Sequence, residues 1–332
     1  MSSSVIIIIF IISAIISAFS AVRLATYADY ISTETKMGGF LAGTILLAVA
    51  TSLPELTTTV SASIIGNANI AVGNGLGTIM FNIFILFILD IHFRKKRLFL
   101  RVSDDHLYTG LIALILCIIS AVGLAVNFSF TVFNVSMTSL TVILVYFIGM
   151  RLTSKKQNSE SALSKPEPKA KPKKMSLNLK KAVTGFVLYG IIILVAGSAL
   201  AISGDEMAKS TGLSGTLIGS ILVAFTTSIP DAMSTFTALR LANINMALGT
   251  ILGSNLFNVL VVAIGDGFYF DGSIWEATSD DIIFIALVNF FLTAIIMLII
   301  KRDRTLNTFT YILPALLAVI SYLAVVGYVI FG

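Results

Sequence analysis

The chain has 332 residues, 57% of them hydrophobic and only 12% charged. A soluble domain carries roughly 25% charged residues, so the composition excludes an ordinary soluble globule and indicates a polytopic membrane protein. The single cysteine, Cys117, lies in the apolar run GLIALILCIISAVGL, which excludes an internal disulfide framework and a cysteine-based metal site; the net charge of +5 is spread over loops in a pattern that excludes a nucleic-acid-binding face.

A membrane-spanning helix needs about 20 apolar residues. The first half of the chain offers five such stretches, near 5–22, 39–65, 70–91, 108–126 and 130–150. The first of these lacks a positive leading region and exceeds the roughly 7–15 apolar residues of a signal peptide, so it reads as a span. Residues 151–181 are rich in Lys, Pro and Ser with almost nothing apolar to bury, and read as a disordered, solvated linker; attachment of its lysines to a lipid surface is the alternative. The second half offers spans near 181–202, 214–241, 245–265, 281–300 and 309–331.

With ten spans the loops alternate between two sides. One side receives 21 of the 22 Lys and Arg residues, and the other receives only Lys209 together with the acidic 266–281 loop. The basic side is therefore expected to be cytoplasmic, with both termini extracellular. A miscounted span would scramble this segregation, so it also supports the count of ten.

Residues 39–82 align with 215–258 at a constant offset of 176 without a gap, and 19 of the 44 positions are identical. Shared hydrophobicity alone would not align Thr-Ser-x-Pro, Asn-x-Asn and Phe-Asn together. With five spans in each half, the second copy enters the membrane from the opposite side, the inverted-repeat architecture of many secondary transporters. The expected fold is an all-α polytopic membrane protein: ten transmembrane helices in two inverted-topology five-helix repeats, 1–150 and 182–332.

The repeated motifs are TSLPE (51–55) and TSIPD (227–231). Read locally, Ser52 and Ser228 start capped helices, with Pro54 and Pro230 in the first turn and Glu55 and Asp231 completing a capping box. Because both motifs fall mid-span, a helix restarts inside the membrane, which is tolerated only against protein or a water-filled cavity. An acid at that depth costs about 2.5–3.5 kcal/mol, and no Lys, Arg or His lies at matching depth, so the expected compensator is a bound cation. Thr78 and Asn82, like Ser254 and Asn258, lie four residues apart on one helix face. With Thr51, Ser52, Thr227 and Ser228 they form a shell of hard oxygens suited to Ca²⁺, which takes about 6–8 ligands, or to Na⁺, and unsuited to Zn²⁺ or Cu⁺. Gly73/Gly77 and Gly249/Gly253 form two GxxxG patterns, expected to bring helices into close contact.

TSLPE…GNGLGTIMFN and TSIPD…GTILGSNLFN resemble the two alpha-repeats of the cation/calcium exchanger superfamily, and specifically of sodium/calcium exchangers. The resemblance implies that Glu55 and Asp231 are the central ligands shared by Ca²⁺ and Na⁺. It implies that Thr51, Ser52, Thr78, Thr227, Ser228 and Ser254 supply further oxygens, and that Asn82 and Asn258 line the central site. The carbonyls of Ala48 and Ala224 would complete flanking sodium sites, and the long first span of each half would slide as a gate. Ala50 and Thr226 stand where the family usually has Gly, and Thr78-Ile-Met-Phe-Asn82 replaces the commoner Gly-Ser-Asn pattern. An Asn at 258 resembles the potassium-independent branch, and the linker is too short for the calcium-sensing domains of animal exchangers.

The sequence is thus expected to encode a Na⁺/Ca²⁺ antiporter of the cell membrane, working by alternating access as a monomer, with the ions as cargo and no cofactor or catalytic residue. A proton-coupled calcium exchanger using the same carboxylates is the alternative. A two-acid membrane protease is disfavoured by the Ser-x-Pro settings, and a channel by a single midplane site, since conduction uses several.

Overall fold

The computed structural model of the chain describes residues 2–35, 49–126, 130–161, 178–241, 243–302 and 307–331. Apolar runs rich in Ile, Leu, Val and Ala form α1 (Ser3–Glu34), α2 (Leu53–Ile64), α3 (Ala68–His92), α4 (His106–Ala125) and α5 (Met137–Ser161) in the first half. The second half contains α6 (Leu179–Thr211), α7 (Gly215–Thr227), α8 (Ile229–Arg240), α9 (Ile244–Asp266), α10 (Asp281–Ile300) and α11 (Thr308–Phe331). Among the described residues, seven of these helices are long and apolar enough to cross a membrane, and α7 with α8, bent by 48° at their junction, makes an eighth.

Several boundaries differ from expectation. The span expected at 39–65 is described only from residue 49; of the linker expected to be disordered over 151–181, residues 151–161 continue α5 and 179–181 begin α6, while 162–177 lie outside the described residues. The span expected at 130–150 begins late, because Thr131–Val132 pairs antiparallel with Val135–Ser136 and α5 starts only at Met137. Phe133 and Asn134, at φ +50° and +64°, form the tight left-handed turn that matches the twist of such a hairpin. The first helix of each half outruns its apolar core: α1 has 32 residues and α6 has 33. These two pack side by side, Tyr27 stacking on Tyr189 with centroids 5.8 Å apart over Gly185, where a Cβ would sit 2.6 Å from the Tyr27 ring.

The repeat is visible in backbone detail. Asn67 caps α3 by accepting from the Ile70 amide at 2.9 Å, and Asn243 caps α9 from the Met246 amide at 3.0 Å. Their backbone angles, −97°/84° and −95°/82°, are nearly the same. The offset of 176 also runs beyond the aligned core. Asp90 pairs with Asp266, and Ser103-Asp104-Asp105 with Ser279-Asp280-Asp281. The Ser103 amide donates to Asn245 Oδ1 at 2.8 Å, and the Ser279 amide to Asn69 Oδ1 at 2.8 Å. The two copies thus clasp each other reciprocally. Packing repeats in the same way, α4 and α5 lying against α9 as α10 and α11 lie against α3.

The surface is inverted relative to a soluble protein. Ile15 (63% exposed), Val195 (67%) and Leu298 (72%) point outward, whereas Glu55, Asp231, Asn82 and Asn258 are buried. Contiguous exposed apolar faces of this kind require lipid. At the centre, α3 and α9 are the most enclosed helices, and α3 lies tight against α7. A Cβ on Gly77 would sit 2.2 Å from the Ser220 carbonyl oxygen and one on Gly73 3.0 Å from the Ser220 amide, so this GxxxG makes the expected close approach. The residues equivalent to Gly219 and Ser220 in the first copy, 43 and 44, lie outside the described residues, and with them the expected partner of Gly249 and Gly253.

Gly77→Ala should therefore lower stability by about 1–3 kcal/mol, because the obstructing atoms are backbone. Gly190→Ala, with no described atom within 4 Å of its Cβ, should leave stability unchanged or raise it. Thermal unfolding in detergent, followed by the fluorescence of Trp275, the chain's one tryptophan, checks the pair.

Candidate ion-binding site

The site is built at two interrupted helices. Proline has no amide hydrogen and its ring crowds the carbonyl four residues back, so Pro230 leaves the Thr226 carbonyl without its helical donor, and Pro54 does the same to Ala50. Between α7 and α8 the chain bends by 48°. The capping boxes read from the sequence do not form: neither Ser52 nor Ser228 makes a side-chain cap. Ser228 keeps helical angles of −81° and −2°, so its hydroxyl turns back to the Ala224 carbonyl at 2.5 Å and across to Thr78 Oγ1 at 3.2 Å. Just before the bend, Ile218–Val223 winds as a π-helix. Such wider turns concentrate at functional sites, and nothing in the string IGSILV announces one.

Two linked polar clusters result. In the first, Asp231 Oδ2 accepts a short hydrogen bond from Ser254 Oγ and a second from Asn82 Nδ2 at 3.2 Å. Asn258 Nδ2 reaches Ser254 Oγ at 3.3 Å, and Asn82 Nδ2 also approaches Asn255 Oδ1 at 3.3 Å. In the second cluster, Thr227 Oγ1 donates to Asn74 Oδ1 at 3.2 Å, while Asn74 Nδ2 donates to the Glu55 carbonyl at 3.0 Å. Thr78, one turn before Asn82 on α3, accepts from Ser228, the chain neighbour of Thr227, and so lies between the two. Glu55 and Asp231 lie within electrostatic reach of each other.

All the sequence-derived side chains that fall on described residues, Thr51, Ser52, Glu55, Thr78, Asn82, Thr227, Ser228, Asp231, Ser254 and Asn258, are buried. Ala48 lies outside the described residues. The Ala224 carbonyl is present but engaged, accepting from the Ser228 amide, the Ser228 hydroxyl and Thr227 Oγ1. Asn74 and Asn255 escaped the sequence reading because their partners in the other copy are Thr250 and Ile79, so a search for repeated polar residues passes over them. A signal for Asn74 existed: it is an amide side chain flanked by Gly73 and Gly75 in a largely small and apolar helix start.

The decisive property is the set of oxygens left without donors. Both carboxylate oxygens of Glu55, Asp231 Oδ1, Asn82 Oδ1 and Asn258 Oδ1 are buried without a hydrogen-bond partner among the described residues, as is Ser52 Oγ. Buried acceptors are normally satisfied, and an unpaired buried carboxylate is strongly disfavoured. Among the described residues no group of three or more His, Cys, Asp or Glu could hold a metal, so any cation here is held by two carboxylates and neutral oxygens. That donor set suits a hard ion.

The model of the family described as "Sodium/calcium exchanger protein" matches residues 5–165 and 181–331. The chain belongs to the sodium/calcium exchanger family. An uncharacterized membrane protein of Methanocaldococcus jannaschii is 26% identical over 234 residues, which span 70% of this chain and 71% of that one. A solved structure of the sodium-calcium exchanger NCX_Mj superposes with a TM-score of 0.59 at 19% identity, covering 98% of this chain and 99% of that one. The H⁺/Ca²⁺ exchanger CAX superposes with a TM-score of 0.65 at 13% identity, covering 98% and 88%. At these identities the two structures establish the fold alone, an all-α polytopic membrane architecture.

Glu55→Gln removes the charge of an unpartnered buried acid and keeps its shape. The variant should unfold at a higher temperature than the parent without ions, yet lose the Ca²⁺-dependent rise in stability, which for a single site amounts to about 2.7 kcal/mol at 100 times Kd. Thermal unfolding with and without Ca²⁺ in Na⁺-free buffer gives both quantities.

Proposed function

We propose that this exchanger moves Ca²⁺ against Na⁺ across the cell membrane, independently of K⁺, by presenting one shared site to the two sides in turn. The carrying observation is the array of orphaned acceptors around Glu55 and Asp231. A cation satisfies many oxygens at once, whereas a proton satisfies one, so five or more donorless oxygens favour a metal ion on both legs of the cycle. Two carboxylates offset one divalent ion, and the neutral Ser, Thr and Asn oxygens give Na⁺ further places to coordinate.

The same charges supply coupling. In an empty site two buried carboxylates repel each other across a low-dielectric interior, so the closed state through which the protein must pass favours a loaded site. Exchange then follows, because neither ion crosses back without replacement. Ser103, in the loop that follows the basic run Arg94–Lys96, meets Asn245 in the first turn of α9, and Ser279, in the 266–281 loop, meets Asn69 in the first turn of α3. This grouping supports a basic cytoplasmic face and extracellular termini. Proton coupling is the second reading; the likeness to the CAX fold is what keeps it.

In proteoliposomes, ⁴⁵Ca²⁺ uptake should follow an outward Na⁺ gradient at clamped pH and be indifferent to K⁺; uptake that requires a pH gradient and ignores Na⁺ would select the proton reading. Glu55→Ala and Asp231→Ala should each abolish uptake in protein that still purifies as a single folded species, and full activity in either would sink the shared site. Asn258→Asp adds a carboxylate beside Ser254 and should change the Na⁺ dependence of Ca²⁺ uptake more than thermal stability.

A further inference from the structure

Asn74 is fully buried on α3 and uses both ends of its amide. Nδ2 donates to the Glu55 backbone carbonyl at 3.0 Å and to Thr59 Oγ1 at 2.9 Å, while Oδ1 accepts from Thr227 Oγ1 at 3.2 Å. One side chain on α3 therefore ties the residue carrying the first carboxylate, in the first repeat, to a hydroxyl beside the break in the second repeat. The duplication offers a built-in comparison. The equivalent residue is Thr250, which is half-buried and turns its hydroxyl back to the Met246 carbonyl of its own helix at 2.9 Å. The equivalent of Thr59 is Thr235, whose hydroxyl is fully buried and has no partner among the described residues. Among the described residues, Thr250 and Thr235 thus do not reproduce the bonds that Asn74 makes.

We propose that Asn74 is a positioning residue for ion binding: without touching the ion, it fixes the backbone of Glu55 relative to Thr227, so the ligand groups of the two repeats meet the ion at a preset spacing. The proposal rests on the exchange reading above. Metal sites depend on such supports, because a ligand oxygen held about 1 Å too loosely forfeits much of its contribution. In the other half Thr250 bonds within its own helix and the Thr235 hydroxyl receives no such tie, so the two repeats hold their shares of the site with unequal stiffness.

The test uses the full chain purified in detergent, with Ca²⁺ titrated calorimetrically in Na⁺-free buffer and then displaced by Na⁺. Asn74→Ala, and Asn74→Thr, which copies the other repeat, should raise the Ca²⁺ Kd by about 10- to 100-fold, the range seen when supports behind metal ligands are removed. Both should also change the Na⁺ concentration that displaces Ca²⁺, while maximal ⁴⁵Ca²⁺ flux at saturating Ca²⁺ is retained. Thr59→Val, which deletes one of the three contacts and leaves Glu55 tied to Thr227, should stay near the parent affinity. If both Asn74 variants fold and bind Ca²⁺ as tightly as the parent, or if neither folds, the positioning role is overturned. If the parent itself binds no Ca²⁺, the exchange reading falls and this proposal falls with it; parent binding with unaffected variants removes this proposal alone.

Discussion

Glu55 and Asp231 are enclosed by protein, within reach of each other's charge, and share no Lys, Arg or His partner among the described residues. Taking even one carboxylate out of water costs several kcal/mol unless something neutralises it, and much of the surrounding architecture makes sense as a means of tolerating two. The prolines break two helices so that backbone carbonyls and hydroxyls can face the gap. Glycines on α3 let that helix come within backbone distance of α7. Hydrogen-bond donors are rationed: Asp231 receives Ser254 and Asn82 on one oxygen, and its second oxygen, with both of Glu55, is left for something that is not protein.

The two repeats are alike in outline and unlike where the ion would sit. Thr78 stands opposite Ser254, Glu55 opposite Asp231, and Asn74 opposite Thr250. Each substitution alters reach or rigidity by a methyl, a methylene or an amide. In the second copy the π-helical stretch Ile218–Val223 changes the angular setting of Ala224 and Thr227 ahead of the bend, and its counterparts 42–47 lie outside the described residues. A pseudo-symmetric transporter needs its two states to be similar enough to interconvert, yet nothing requires equal affinity on the two sides. Differences of this size are where such inequality would arise.

Much of this was legible in the sequence because it depended on composition and repetition. A carboxylate beside a proline in the middle of an apolar run is conspicuous, and its recurrence 176 residues later marks it as designed. What failed was inference from local motif to local geometry. Ser-x-Pro-acid reads as a capping box, but the surrounding helix continues through Ser228 with a bend, so the hydroxyl finds a carbonyl and not an amide. The hairpin at 131–136 reads as part of a span because Val, Phe and Val look apolar whether they lie in lipid or cover a loop. The π-helix and the Asn74 bracket were illegible for a deeper reason: one depends on hydrogen-bond register, the other on a contact between residues 153 positions apart in the chain.

The reciprocal clasp of Asn69 with Ser279 and Asn245 with Ser103 carries a consequence for how such a chain can change over generations. Loops between membrane helices are ordinarily where insertions and deletions accumulate. Here the stretch joining α3 to α4 must deliver Ser103 to a turn in the other copy, and its counterpart joining α9 to α10 must do the same in return. Adding or removing one residue in either would pull a serine amide off its asparagine and unbalance the pair. The constant spacing of 176, kept through Ser103-Asp104-Asp105, is therefore a length lock, in which each half of the molecule serves as the ruler for the other.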